Sequence, residues 1–492
     1  MTDCTTEPLL FSSLKRKNIQ ADFRGGRLTS DGGALLLREV DRSLGLIDAI
    51  NACIRDPRNP FCTVHSQRAL LAQRIFGIAL GYEDLNDHQS LREDFLFQLL
   101  CERGIKKDLP LASPPTLCRL ENRVDRTALG KIAEVFVETF IRSHTTAPEE
   151  LILDFDPTND PMHGNQEQRF FHGYYDQYCF LPLYVFCGSQ LLVAYLRPAN
   201  IDGALHAQAI LKLLVKRFRR QWPNVRILFR GDSGFCRWKL MRWCDKHDVG
   251  YIIGLARNAV LERLARPWTD VSTAQFAKTH EKQRLFGEFL YGAETWDRER
   301  RVIVKAEYLD QGPNSRFVVT NLARQPHGLY DDLYCQRGDA ENRIKEQQLG
   351  LFADRTSCHD FVANQFRVLL SAAAYILLDS LRRDTLSGTE LAHAQVDTIR
   401  LKLLKIGGAG GLFGAADRDP SGPRLSAPGP VRPHPEPSAY STGTLLGLGL
   451  MGTPSRRPLG ERGKYAPYTR QADYLRTHHI HNSPSPQNPA PL

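Results

Sequence analysis

The chain has 492 residues, 42% of them hydrophobic and 24% charged, with a formal net charge of +9 and a sequence pI near 9.0. That length predicts two or three structural units rather than one small module, and the composition excludes a chain disordered throughout. The basic balance suits a polyanionic partner such as DNA, although many basic proteins bind nothing anionic.

The amino terminus, MTDCTTEPLLFSSLKRK, sets polar and acidic residues ahead of its short apolar patch, which is not the order of a secretory signal. Across 30–147 the apolar residues recur at helical spacing and strand signals are rare, so residues 1–148 read as an all-helical amino-terminal domain. Ser30 or Asp31 can cap a helix carrying Leu36, Val40, Leu44 and Ile47, and Gly81 can stop another that begins after Ser66. Leu96, Leu99 and Leu100 mark a third. Ser113-Pro114-Pro115 has the form of a helix start, and Asp125 can cap the next helix, with Ile132, Val135, Phe136 and Phe140 on one face. The tight turn between 116–123 and 127–141 fits a helix-turn-helix DNA reader in which Arg119 and Arg123 meet phosphates, and it fits a plain helical bundle as well.

At 151 the pattern changes to short β-type runs at 151–155, 181–187, 191–196, 225–229 and 251–255, with a helical stretch at 204–220. Hairpin-like strands followed by strand-helix alternation predict an α/β fold with a mixed sheet, in two parts at 149–255 and 327–406. Between them, 256–326 reads as a separate β-rich insertion with strands near 301–308 and 316–320. The apolar run 368–378, between Arg367 and Asp379, is about half a bilayer span and predicts a buried helix, with no membrane partner. After 406 the composition shifts: nearly half of the 29 prolines and about a third of the 37 glycines lie there, so 407–492 reads as a disordered tail.

The eleven cysteines stand singly, with no CxxC pair, as in a reduced cytoplasmic protein. Cys236, Cys244 and His247 have no strong zinc spacing and read as packing. The chemistry lies in carboxylates. Asp154 and Asp156 end one apolar strand and Asp232 ends another, and a carboxylate at a strand mouth is held rigidly yet reaches solvent. Two such groups on adjacent strands repel unless a cation lies between them, although an aspartate after a strand often only caps a turn. In 334–345, Tyr334, Arg337, Glu341 and Lys345 stand at offsets 0, 3, 7 and 11, one stripe of an α-helix at 100° per residue. They form a third carboxylate bracketed by phosphate-gripping groups, or a solvated face of salt bridges.

These residues resemble the DDE transposases of bacterial insertion sequences, in the branch whose last acidic residue sits in a Tyr, two residues, Arg, three residues, Glu signature, met here by Tyr334, Arg337 and Glu341. Asp156 precedes Thr158 by two positions, and Asp232 lies in Arg230-Gly231-Asp232-Ser233-Gly234, as the first and second acidic residues of that branch do. The stretches DFRGGRLTSDGG, DPTNDPMHGNQ and FFHGYYDQYCFLPLY are similar to the insertion-sequence thirteen-eighty group over residues 20–406. The resemblance implies an RNase H-like core interrupted by the β-rich insertion, and cut-and-paste transposition by a DDE endonuclease and strand transferase. It implies that Asp156, Asp232 and Glu341 hold two Mg²⁺ or Mn²⁺ ions. Tyr334, Arg337 and Lys345 would contact phosphates, Asp154 and Thr158 would support the ligands, and Trp296 would stack a displaced base. The implied partners are double-stranded DNA with terminal inverted repeats, target DNA, and a second copy of the chain on DNA. Two departures stand out. Gln348 occupies the place of the family's lysine, with Lys345 one turn earlier, and the tail differs as if the reading frame changed near Gly407. A nuclease that hydrolyses without joining, and a decayed copy that only binds DNA, are the alternatives.

Overall fold

The computed structural model describes residues 9–14, 17–21, 27–102, 110–162 and 164–410. Most of the tail expected to be disordered lies outside them. Gly408–Gly410 lie inside and form a strand antiparallel to Arg27–Thr29, which differs from the expected disorder of the whole 407–492 stretch.

The amino-terminal region is not helical throughout, because Leu9–Leu14 pairs with Lys17–Ala21 as a β-hairpin ahead of Arg27–Thr29. Several of its helices start at the expected signals, but the single helix expected through Leu36, Val40, Leu44 and Ile47 is two. α1 (Leu35–Leu44) ends at Gly45, whose φ of 63° suits a residue without a Cβ, and α2 (Leu46–Cys53) follows at once. The Ser66 hydroxyl accepts from the Ala69 N–H at the start of α3 (Gln67–Ala79). Asp125 does the same for Ala128 at the start of α5 (Arg126–Arg142), after α4 (Pro114–Glu121). Asp31 caps nothing with its side chain. It accepts from Tyr82 Oη at 2.7 Å and pairs with Lys405 Nζ at 3.1 Å, tying the amino-terminal segment to residues near 405.

Eight strands form one sheet: β1 (Glu150–Pro157), β2 (Leu183–Cys187), β3 (Gln190–Tyr195), β4 (Arg226–Gly231), β5 (Val249–Leu255), β6 (Gln283–Tyr291), β7 (Arg300–Leu309) and β8 (Gly312–Thr320). Their spatial order is β6-β7-β8-β5-β4-β1-β2-β3. β1, β2 and β3 run antiparallel, β2 and β3 as a tight hairpin, whereas β4 lies parallel to both β1 and β5. The parallel crossovers carry α6 (Ala207–Gln221) between β3 and β4 and α7 (Trp238–Lys246) between β4 and β5. The insertion is not a separate β unit: β8 pairs with the open edge of β5 and extends the same sheet, because an unpaired strand edge is a row of unmet hydrogen-bonding groups. It also contains a 21-residue helix, α8 (Ala259–Thr279), where only strands are expected.

Alternation along the strands sends odd-numbered residues of β1 and β4 to one face and even-numbered ones to the other. Leu151, Leu153, Phe155, Ile227 and Phe229 join α6, α7 and α5 in the main core, so Val137, Phe140 and Ile141 of α5 pack on the sheet itself. On the opposite face Leu228, Ile252, Ile303 and Val318 meet Leu329, Tyr330 and Leu333. That segment continues through α9 (Gly338–Lys345) to α10 (Phe361–Ser380), an apolar helix long enough to span a membrane but buried within the fold.

Candidate metal centre

β1 and β4 set the geometry. Their parallel register pairs Arg230 with Asp154 and Gly231 with Phe155, so one residue further it brings Asp232 beside Asp156. Both carboxylates leave the carboxyl ends of adjacent parallel strands, where the chain departs from β1 toward β2 and from β4 toward β5. In α/β sheets such a divergence is where a crevice opens beyond the carboxyl ends of the strands. Asp232 Oδ1 accepts from the Gly234 N–H at 2.9 Å, which holds one carboxylate oxygen against the turn.

The third carboxylate arrives from the even face of the sheet. Residues Leu329–Tyr334 form a π-helical turn, Cys335–Arg337 a 3₁₀ turn, and Glu341 then lies in the regular helix α9. The stripe expected of one uninterrupted α-helix is therefore broken; irregular turns of this kind recur where a helix is fitted to a site. The contacts survive the change. Arg337 donates to Asp156 Oδ2 at 3.3 Å and forms an ion pair with Glu341, so its guanidinium lies between the first and third carboxylates. Tyr334 faces the same guanidinium and Asp232. Lys345 is exposed at the end of α9.

Electrostatics follow from this crowding. Burial, opposed by Arg337 and reinforced by the charges of Asp232 and Glu341, pushes the Asp156 carboxyl up to about 8. Burial also raises Asp232, again against Arg337. Three acidic side chains thus feel one another with a single guanidinium among them. This oxygen-only donor set, short of positive charge, fits a hard divalent cation such as Mg²⁺ or Mn²⁺. The three carboxylates are not drawn tightly together. Among the described residues, the group whose ligand atoms all lie within 4.8 Å of one another is the exposed Glu167, His359 and Asp360.

Asp154 has a different task. Arg230 Nη2 donates to Asp154 Oδ2 at 2.7 Å, its Nε holds the other carboxylate oxygen, and its Nη1 donates to the Leu333 carbonyl at 2.5 Å. This buried fork fastens β1 to β4 and both to the Tyr334 segment. Arg230 was not assigned a role from sequence. Its signal was there, since Asp154 and Arg230 each stand two residues before a strand-end aspartate.

Thr158 Oγ1 lies 3.4 Å from Gln348 Oε1, and Gln348 Nε2 donates to the Asn159 carbonyl at 2.8 Å. Gln348, singled out only as a departure, thus links the loop after Asp156 to the helix that carries Glu341. Gly254 is a second residue the sequence did not mark. A Cβ there would stand 2.6 Å from Tyr334 Oη and 2.9 Å from the Ser233 backbone nitrogen, so only glycine lets them approach.

Three expected contacts sit elsewhere. Trp296 is half-buried against the main core, its ring 5.5 Å from that of Tyr291. Arg123 Nη2 donates to Gln67 Oε1 at 2.7 Å, and its Nη1 lies 3.5 Å from Asp56, so this guanidinium is engaged within the fold. Arg119 is exposed on α4. Cys236, Cys244 and His247 form no ligand group; the His247 ring stacks on Trp243 at 4.4 Å.

Over residues 11–410 the chain matches the family model described as transposase DDE domain group 1, and it belongs to that family. No curated protein sequence matches it. Among solved structures it is similar to a chain in the cryo-EM structure of a piggyBac transposase synaptic complex with hairpin DNA, at 12% identity and a TM-score of 0.34, over 78% of this chain and 87% of that one.

Proposed function

We propose that this chain is the transposase of an insertion sequence, that Asp156, Asp232 and Glu341 are its catalytic metal ligands, and that it cuts and rejoins DNA by a cut-and-paste route. The observation that carries the reading is the convergence of two strand ends and one helix on a crevice where three carboxylates share one guanidinium. The strand order, with three antiparallel strands followed by two parallel ones, supports an RNase H-like core. Tyr334 and Glu341, each beside Arg337, support the Tyr-Arg-Glu branch and the insertion-sequence thirteen-eighty group.

Mg²⁺ or Mn²⁺ held there would supply an activated water or 3′-hydroxyl and stabilise the leaving oxygen at phosphorus. Asp156 and Asp232 offer oxygens from rigid strand ends, and Glu341 offers one from a helix. Arg337, already beside Asp156, is placed to turn its donors to a phosphate, as Tyr334 and Lys345 are from the same segment. Arg230 holds Asp154 and thereby the spacing of the two strand mouths, while Thr158 and Gln348 hold the loop that follows. Arg119 is free to meet a phosphate further along the duplex. The partners are DNA bearing terminal inverted repeats, target DNA, and a second copy of the chain when two ends are synapsed, in the bacterial cytoplasm.

The test is cleavage and strand transfer on the element's own terminal repeats in Mg²⁺ or Mn²⁺, with wild type, Asp232→Asn and Glu341→Gln. Nicking by the wild type and none by either variant is expected, while equal cutting by all three would end the assignment. Nicking without joining would identify a nuclease, and binding without nicking a decayed copy.

A further inference from the structure

Away from the three carboxylates, a buried cation stands without an acid. Arg197, two residues beyond β3, is wholly buried. Its Nε donates to the Leu181 carbonyl at 2.8 Å, and its Nη1 donates to the carbonyls of Gly203 at 3.0 Å and Leu205 at 2.6 Å. Those bonds fix the guanidinium against the segment that leads into α6, and they leave Nη2 buried with no hydrogen-bond partner. Among the described residues no carboxylate forms an ion pair with Arg197. Asp202, whose charge reaches it, is engaged elsewhere: its Oδ2 accepts from Arg237 Nη2 at 2.6 Å and its Oδ1 from the Ala204 N–H at 2.7 Å. Burial accordingly pushes the Arg197 guanidinium down to about 10.

The same corner gathers further positive potential. α6 begins after His206, whose φ of 70° is left-handed and whose side chain caps nothing. The positive end of a 15-residue helix thus lies beside the carbonyls that Arg197 holds, with no side chain answering it. His206 Nδ1 is also buried without a partner, and burial, then the charge of Arg197, holds its imidazole below the ordinary range. A residue other than glycine stays in the left-handed region only where its surroundings impose it, and such positions cluster at binding sites. We propose that Arg197, His206 and the first turn of α6 form a binding site for a single oxyanion of the phosphate type.

The chemistry favours this occupant. A buried guanidinium without a counter-charge is costly, and a tetrahedral oxyanion brings both the charge and the acceptors, with oxygens for Nη2, for the imidazole and for backbone N–H groups at the helix end. Arg197 itself is closed off from solvent whereas His206 is only half-buried, so the anion reaches the guanidinium past the imidazole. The site neighbours the metal centre without sharing its ligands. A Cβ on Gly203 would stand 3.7 Å from Pro157 Cγ at the end of β1, and the Tyr175 phenol lies close enough to feel Asp156 and Asp232 and to act on Arg197. Two sources offer the group, free inorganic phosphate and the backbone of DNA, and neither requires the carboxylates to act.

The experiment titrates full-length protein, kept in EDTA, with sodium phosphate by isothermal titration calorimetry, against sodium chloride at the same ionic strength. The variants are Arg197→Gln and His206→Gly, the second chosen because glycine accepts the left-handed φ, with thermal melting as the check that each folds. One phosphate per chain is expected in the wild type. Binding about ten-fold weaker is expected in His206→Gly and about a hundred-fold weaker in Arg197→Gln, the effect of losing charge-assisted hydrogen bonds. A wild type that takes up no more phosphate than chloride overturns the inference, and so does a folded Arg197→Gln that binds phosphate as wild type does. If Arg197→Gln does not fold, His206→Gly decides: wild-type affinity overturns the inference and the ten-fold loss upholds it. A short DNA duplex added as competitor identifies the source, since displaced phosphate points to the DNA backbone and unchanged binding to the free anion, either of which upholds the site. Phosphate binding by a protein that nicks no DNA would remove the enzyme reading and leave this site standing.

Discussion

Two glycines on β5 separate a site effect from a stability effect. A Cβ on Gly254 would stand 2.6 Å from Tyr334 Oη, 2.9 Å from the Ser233 nitrogen and 3.2 Å from the Asp232 carbonyl carbon. The last two are backbone at the turn that holds the second carboxylate, so neither can swing aside, and the strain must displace Asp232, Tyr334 or both. A Cβ on Gly250 would stand 2.9 Å from Leu228 Cδ1 and 2.9 Å from Leu322 Cδ2, which are ends of flexible side chains. Each overpacked substitution costs about 1–3 kcal/mol of stability. A displacement of order 1 Å at a reacting group costs about a hundred-fold in rate. Gly254→Ala is therefore expected to lower kcat for strand cleavage by about that factor, whereas Gly250→Ala, comparably destabilised in a urea melt, keeps a rate near wild type. Equal kcat in Gly254→Ala and wild type, or equal losses in both variants, would refute the placement of Asp232 and Tyr334 argued here.

Removing Asp154 leaves Arg230 charged and buried without its partner, so Asp154→Asn is expected to cost about 3–5 kcal/mol in chemical denaturation, and Asp154→Leu with Arg230→Met to recover most of it. Gln348→Ala loses the bond to the Asn159 carbonyl and the link to Thr158; about 1 kcal/mol of stability and a lower kcat with KM for DNA unchanged are expected from melts and steady-state kinetics. The carboxyl of Asp156 ionises near 3.8 in the unfolded chain and near 8 in the folded one, so in that window the folded state keeps a proton the unfolded state has released. Stability contributed through Asp156 falls as pH rises from about 4 to 8 without divalent cations. Urea melts across that range should show Asp156→Asn gaining on wild type toward pH 8, and Mg²⁺ closing the gap; parallel curves for the two proteins would contradict the burial of Asp156. Asp160 is also raised to about 8 by burial and keeps its own slope in both proteins.

Some local signals written into the chain are legible because neighbours in sequence decide them. Ser66 and Asp125 cap their helices, Gly81 takes a left-handed φ at a helix end, and Asp156 and Asp232 stand at the ends of apolar strands, whereas Asp31 caps nothing, Gly45 breaks the helix expected across 36–47, and Asp154 lies inside its strand. The order of the three carboxylates along the chain was visible as well, and so was the helix over 368–378, as an apolar run bounded by Arg367 and Asp379. Hydrogen bonding along a strand edge is non-local, so nothing in 283–320 announced that β8 would pair with β5 and make the insertion part of the main sheet. The irregular turns before α9 were invisible for a related reason, because packing on the sheet, and not helical propensity, sets them.

Residue type and strand-end position are local properties, so the candidate ligands could be picked out from the chain alone. Tertiary structure alone decided how they divide the work. The parallel register of β1 and β4 gives Asp154 to Arg230 and leaves Asp156 beside Asp232, and the path of the segment after β8 brings Arg337 among the carboxylates. A charge's role depends on which opposite charge folding brings within a few ångströms, and that distance is set by strands and helices far apart in the chain.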